Sequence, residues 1–342
     1  MCAYDQSVAL NRVKYTGESI QQARRALDLL PETTAAPIPA PAHAAQMRLE
    51  ARVFLGLLEN RNACTRFPLG IVSVQPGSNL LTLQVESVDR AAEILFGLLP
   101  TLPSEGELHG VPGLRIVKRF RTAIELRVLG QPTRLRLSGL PHSLWREAEQ
   151  NMLNKWIDPD TMQLCWRTSR STWIAGEREH FSQWENDNDP FVQVQHRGAW
   201  LGSGLLRRTA LLHTVANTYL ADGYRGTAFG HTRIVVRSSH VRDQGPGPHH
   251  IAAALLDPVF GLPMHLTRFR GDTDQKYGSD QHFILTDPAK TALLDLRASF
   301  ERPPSRLSPE LWQSILRRLP HEGFPSNLSP AFLAGLCGAD AS

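Results

Sequence analysis

Residues 114–138, LRIVKRFRTAIELRVLGQPTRLRLS, decide how the first half of this chain folds. Apolar and polar residues alternate in three runs, which predicts strands over 114–120, 123–129 and 133–138. Because successive side chains of a strand point to opposite faces, the sheet should have one apolar face and one charged face. The side chains expected to point inward are Ile124, Leu126, Val128, Leu135 and Leu137, and those expected to point outward are Arg127, Arg134 and Arg136.

This stretch carries seven basic residues against a single acid, Glu125. The basic residues are Arg115, Lys118, Arg119, Arg121, Arg127, Arg134 and Arg136. A positive, solvated sheet face can bind phosphates, as sheet-based readers of nucleic acids do. Phe120 is the only aromatic residue among them, so the aromatic signature of RNA-reading sheets is missing. The alternative interpretation is a sheet that faces solvent or a protein partner.

The segments before this stretch complete a small α+β domain over residues 44–140. Helical periodicity predicts helices over 44–60 and 88–99, and β-rich runs at 69–74 and 80–86 flank a turn cluster that would close a hairpin. The predicted domain is therefore built on an antiparallel sheet.

Residues 1–43 are predicted to form an N-terminal helical arm with a linker. An amphipathic helix is expected over 18–30, and the proline- and alanine-rich run PETTAAPIPAPAH follows at 31–43. An extended tether of this kind would let the helix dock on another protein, so the arm is a candidate contact for a protein partner.

After Pro141 the composition changes, because six of the seven tryptophans fall between Trp145 and Trp200. We place a domain boundary there and expect residues 141–342 to form a larger, mixed α/β domain that is rich in tryptophan and histidine. Its predicted helices are 203–221 and 308–318, and its predicted strands are 232–237, 251–256 and 282–286. The sequence thus predicts the α+β class in two domains, and it contains no recognisable internal repeat.

A second basic region lies around the predicted helix 203–221. Arg207, Arg208 and Arg237 are the candidate phosphate contacts, and Asp222 is the only acid between residues 203 and 242. The glycine-containing segment after this helix leads to a strand and not to a second helix, so no helix-turn-helix motif is predicted.

Six of the 13 histidines fall within residues 231–282, among several aspartates. Imidazoles and carboxylates can hold a divalent metal, which would polarise a phosphoryl group or lower the pKa of a bound water. The preferred ligands are His231, His265, Asp272, Asp274 and His282. No HExxH, HxH or HxxxH spacing supports this set, and histidines of polar surface loops are the alternative. A divalent metal is the one cofactor that the sequence suggests.

The overall composition is that of a globular chain, with 37 basic and 33 acidic residues among 342 and a net charge of +4. No apolar run is long enough for a membrane span, and charges near the N-terminus exclude an ordinary signal peptide. The sequence therefore predicts a cytoplasmic protein that does not enter a membrane. Phosphate-loop, dinucleotide-binding and nucleophile-elbow motifs are all missing.

Three functions remain open from the sequence. The first is a nucleic-acid-associated binding protein, from a plasmid or mobile element, that uses the two basic regions. The second is a metal-dependent phosphodiester hydrolase that uses the histidine and aspartate residues of 231–282. The third is an interaction or assembly module that docks through residues 1–43 and catalyses nothing.

Overall fold

The α+β class is confirmed by a computed structural model of the chain. It describes residues 6–31, 36–59, 67–212, 219–226, 230–240, 248–270 and 281–300. Helices and sheets pack together around a shared apolar core. Within these ranges no helix has the length and apolar character needed to cross a membrane.

Secondary structure elements are numbered here in chain order. The first half contains α1 (Gln6–Thr16), α2 (Ile20–Asp28), α3 (Ala44–Glu59), β1 (Ile71–Pro76), β2 (Leu81–Val85), α4 (Val88–Leu98), β3 (Thr101–Pro103), β4 (Leu114–Arg119), β5 (Ala123–Val128) and β6 (Leu135–Ser138). The second half contains α5 (His142–Trp156), β7 (Met162–Leu164), α6 (Cys165–Thr168), α7 (Ala175–Trp184), α8 (Pro190–Leu206), β8 (Tyr219–Gly226), β9 (His231–His240), α9 (Pro248–Leu255), β10 (His265–Arg270), β11 (Gln281–Thr286) and β12 (Ala292–Phe300).

The N-terminal segment that the sequence predicted as an arm packs on the body of the protein. Helix α2 begins at a capping box in which Ser19 and Gln22 bond each other's backbone N–H groups. Tyr15 of α1 is fully buried, stacks on Phe260 at 5.3 Å between ring centroids, and donates a 3.1 Å hydrogen bond to the Ala254 carbonyl. The described part of residues 1–43 is therefore held against the second half of the chain.

The first sheet has the strand order β1-β2-β6-β5-β4, and the strands predicted around residues 114–138 are confirmed. All neighbours are antiparallel except β2 and β6, which are parallel. All five aliphatic side chains expected to point inward are buried, whereas Arg127 is exposed and Arg134 and Arg136 are half-buried. The sheet thus has the predicted apolar and charged faces.

Two predicted elements of the second half are wrong. Residues 251–255 of the predicted strand 251–256 belong to helix α9, because three successive alanines, Ala252 to Ala254, favour a helix and pack fully buried. The helix predicted at 203–221 lies earlier, as α8, where Asp189 caps the first turn and Pro190 occupies its first position. The strands at 232–237 and 282–286 are confirmed, and the helix predicted at 308–318 lies outside the described residues.

The second sheet repeats the connections of the first, although the sequence shows no repeat. Its strand order is β10-β11-β12-β9-β8, with β9 and β12 parallel and the other neighbours antiparallel. Each sheet consists of a hairpin, then a helix, then three antiparallel strands, the last of which pairs in parallel with the second strand of the hairpin. A helix also precedes each unit, α3 in the first and α8 in the second.

One apolar cluster joins the two units across residue 140. It contains Leu126 and Leu137 from the first sheet, Leu201 from α8 and Phe283 and Leu294 from the second sheet. Helices α3 and α8 pack directly on each other, and a Cβ at Gly202 would lie 2.9 Å from the Ala51 Cα. The domain boundary predicted near residue 140 therefore separates two segments that share a core.

Candidate functional site

The charged face of the first sheet is organised around one carboxylate, Glu125. Its side chain is only 3% exposed and accepts hydrogen bonds from three arginines. The distances are 3.0 Å from Arg127 Nη2 to Oε1, 3.1 Å from Arg134 Nε to Oε1, and 3.0 Å from Arg136 Nη2 to Oε2. Arg136 lies directly opposite Glu125 in the register of β5 and β6. We call these four residues the Glu125 cluster.

The Glu125 cluster has an excess of positive charge. Burial alone would raise the pKa of Glu125, but the hydrogen bonds from Arg134, Arg136 and Arg127 outweigh burial and lower the pKa to about 2. The carboxylate is therefore ionised at neutral pH and offsets one of the three guanidinium charges. The arginine side chains remain 47%, 38% and 29% exposed for Arg127, Arg134 and Arg136, so two net charges face solvent in a fixed arrangement.

Two predicted residues lie on β4, next to the strand that carries Glu125. Lys118 is paired with Glu125 in the register of β4 and β5, and its Nζ lies 4.8 Å from the centre of the Phe120 ring. The Arg136 guanidinium lies 4.7 Å from the same ring. Cations of the sheet thus already contact Phe120, which makes this ring a poor platform for stacking a base. Arg119 is 34% exposed and forms an ion pair with Glu149 of α5.

Arg115 has a structural role that the sequence did not reveal. Its side chain is 1% exposed and binds Glu177 of α7 at 2.6 Å and 2.7 Å through two nitrogens. It also donates to the Ser169 carbonyl at 2.7 Å. Because the guanidinium is buried and paired, the prediction that Arg115 contacts phosphate is corrected.

Arg207 and Arg208 are also buried, at 1% and 7% exposure. Arg207 pairs with Glu50 of α3 at 2.6 Å, and Arg208 donates to the Phe260 carbonyl at 2.6 Å. Burial lowers the pKa of Arg208 to about 10. Both side chains connect α8 to neighbouring segments, so the prediction that they contact phosphate is corrected as well.

The charged face of the second sheet has a similar centre. Asp295 is 2% exposed and accepts from Arg233 at 2.6 Å and from Arg297 at 2.8 Å. Burial would raise the pKa of Asp295, but the hydrogen bonds from Arg297 and Arg233 lower it. The predicted phosphate contact Arg237 is exposed and lies opposite Arg297 in the register. The sequence signal for both centres is a lone acid followed by leucine and arginine, at residues 125–127 and 295–297.

The three histidines of the predicted metal site do not come together. His265 on β10 is aligned across the sheet in one row with Thr286 on β11, Leu293 on β12 and Arg233 on β9. Three strand spacings, or about 14 Å, therefore separate His265 from β9. His231 lies near that row on β9, and His282 lies four residues along β11 from Thr286, about 13 Å away. Asp272 and Asp274 lie outside the described residues. Within the described ranges no group of three or more potential ligands is found.

Comparison with known proteins leaves the geometry as the only guide to function. No protein-family model, no curated protein and no solved structure matches this chain.

The depressed pKa of Glu125 predicts a specific dependence of stability on pH. A carboxyl whose pKa falls from 4.5 to about 2 on folding contributes stability above pH 4.5 and loses it as the pH falls toward 2. We expect Glu125→Gln to lower the free energy of unfolding by about 1–3 kcal/mol at pH 7 and by progressively less toward pH 2. Urea unfolding at a series of pH values measures this difference.

The control for this experiment is Glu147→Gln, which changes an exposed acid of α5. It should alter the free energy of unfolding little at any of these pH values. A difference between the wild-type protein and Glu125→Gln that stays constant from pH 7 to pH 2 would contradict the assignment of Glu125 as the ionised centre of the cluster.

Proposed function

We propose that this protein binds nucleic acid through the charged face of its first sheet. The observation that carries the proposal is the Glu125 cluster, in which one buried carboxylate fixes three partly exposed guanidinium groups and leaves two positive charges unneutralised. Arginine held in a defined orientation binds phosphate oxygens with little further loss of side-chain entropy. Lys118 extends the positive surface to the next strand.

The proposed contacts are with the phosphate backbone and not with the bases. Phe120 is the aromatic residue of this surface, and two cations of the sheet already contact it. Phosphate contacts position a nucleic acid without reading its sequence, so the expected binding is sequence-independent and weakens steeply with salt. A protein with this role is expected to act in the cytoplasm.

The two other functions have less support. The hydrolase needs a cluster of ligands, and the histidines that would begin such a cluster lie on separate strands. The interaction module needs an accessible N-terminal arm, and Tyr15 and Arg12 of that segment are fully buried. Binding of nucleic acid to the charged sheet face requires neither a cluster of metal ligands nor an accessible N-terminal arm.

The test is to replace all three arginines of the Glu125 cluster by glutamine. We expect binding to a 20-base-pair duplex in 50 mM salt to weaken by about 10–100-fold, and the slope of log K against log salt to become shallower by about 2. Fluorescence anisotropy of a labelled duplex at several salt concentrations gives both quantities. Glu125→Gln, which removes the negative charge, should strengthen binding.

A matched control replaces Arg146 and Arg178, two exposed arginines of α5 and α7, by glutamine. This pair removes two positive charges from elsewhere on the protein, against three in the triple variant, and should leave the affinity within about three-fold of wild type. Equal losses in the control and in the triple variant would mean that net charge alone drives binding. That result, or a wild-type protein that does not bind the duplex, would overturn the proposal.

A further inference from the structure

A cleft opens between α3, α8 and the start of β9, away from the Glu125 cluster. Its empty volume is about 650 Å³, a figure that includes open solvent at its mouth. The glycines of α8 create this space and also bring the elements close together. A Cβ at Gly198 would lie 2.2 Å from the Thr232 Oγ1, so a larger residue at this position would push α8 away from β9.

The walls of the cleft combine apolar side chains with guanidinium groups. Leu55, Phe191, Val194 and Ile234 are among its apolar lining residues. The charged lining residues are Arg48, Arg52 and Arg233, and none of the described lining residues is an acid. An apolar wall with a cluster of guanidinium groups favours a ligand that has an anionic end and an apolar end.

The carboxylate that Arg48 and Arg52 bind shows which chemistry these two arginines accept. Glu185, at the end of α7, reaches the Arg48 Nη2 at 2.6 Å and the Arg52 Nη2 at 3.5 Å. One carboxylate thus serves two guanidinium groups whose side chains are each 22% exposed. The Arg52 guanidinium also lies 4.4 Å from the centre of the Trp184 ring.

One hydrogen-bond donor of Arg48 is unused. The Nε of Arg48 is buried and has no hydrogen-bond partner within the described part of the chain. A buried N–H donor without an acceptor costs free energy, and an oxygen of a bound anion would remove that cost. A second carboxylate beside Arg48 could therefore accept from the one donor of this side chain, its Nε, that Glu185 leaves unused.

We propose that the cleft is a binding site for a small organic carboxylate that carries an aliphatic or aromatic group. The carboxylate would bind Arg48 and Arg52 beside Glu185 or in its place, and the apolar group would lie against Phe191, Val194 and Leu55. This site shares no residue with the Glu125 cluster, so it does not depend on the proposed binding of nucleic acid.

The experiment is a calorimetric titration of the full-length chain with octanoate, with octanol and octylamine as neutral and cationic probes of the same length. We expect octanoate to bind and the other two to bind at least about ten-fold more weakly. Arg48→Gln should weaken octanoate by about ten-fold or more, and Glu185→Gln should strengthen it, because it removes the competing carboxylate. A purely structural role of Glu185 would not produce tighter binding.

A second pair of variants separates binding from misfolding. Gln195→Phe places a ring in the lining of the cleft and should abolish octanoate binding, whereas Gln193→Phe, on the exposed side of the same helix, should not. Thermal unfolding of each variant checks that it remains folded. Octanol binding as tightly as octanoate, an unchanged affinity in Arg48→Gln, or no binding of any probe would each overturn the proposal.

Discussion

Replacing Glu50 by alanine is expected to lower the free energy of unfolding by about 3–5 kcal/mol, among the largest effects of any single substitution in this protein. Glu50 is fully buried on α3 and accepts hydrogen bonds from Arg207 at 2.6 Å and 2.7 Å and from Ser203 at 2.6 Å. Its loss would leave the 1% exposed guanidinium of Arg207 charged and without its counter-ion. Denaturant unfolding of purified protein measures the loss.

The comparison variant replaces both partners by methionine, Glu50→Met with Arg207→Met. Because an apolar pair of similar volume carries no desolvation cost, the double variant should recover most of the stability that the single substitution loses. The control is Arg197→Ala, at an exposed position of α8, the helix that ends just before Arg207. It should change the free energy of unfolding by less than about 0.5 kcal/mol. A loss below about 1 kcal/mol in Glu50→Ala would show that the pair does not hold α3 to α8.

Tyr15→Ala is expected to cost about 3–5 kcal/mol of unfolding free energy. The Tyr15 side chain is fully buried, stacks on Phe260 and donates to the Ala254 carbonyl, which is 239 residues away in the sequence. Truncation would open a cavity between α1 and the second half of the chain and would leave that carbonyl with only the Asp257 N–H, at 3.2 Å, as a donor. Thermal and urea unfolding, followed by circular dichroism, measure the loss.

Leu10→Ala is the matched control, because Leu10 lies on the same helix but is 48% exposed. It should cost less than about 1 kcal/mol. If Tyr15→Ala and Leu10→Ala cost the same small amount, the N-terminal helices contribute little to the folded body. The segment would then be available to a partner, as the sequence alone suggested.

The first sheet could be predicted from the sequence because its signal is local. In residues 123–128, the alternation of aliphatic and polar residues identifies the strand, its buried face and the direction of Arg127. The helix α8 was displaced in the prediction because its glycines, Gly198, Gly202 and Gly204, weaken the helical signal. These glycines allow α8 to pack closely against Thr232, Ala51 and Leu262. The three contacts are visible only in the folded chain.

The roles of the arginines could not be predicted, because burial depends on partners far away in the sequence. Arg115 is buried by Glu177, and Arg207 by Glu50, which lies 157 residues earlier. Arg115, between a leucine and an isoleucine, resembles in sequence the exposed Arg127, between a leucine and a valine. By contrast, the exposed cluster around Glu125 is built from residues within 12 positions of one another, and its charge excess was evident from the sequence.

The repeated order of connections in the two sheets has a consequence for the origin of this chain. In each unit, the last strand pairs in parallel with the second strand of the hairpin that begins the unit. This order is specific, and its recurrence points to duplication of an ancestral gene. The contact between α3 and α8 joins equivalent helices of the two units, as an isologous interface does. The charged centres of the two units differ, with glutamate on β5 in the first and aspartate on β12, the counterpart of β6, in the second.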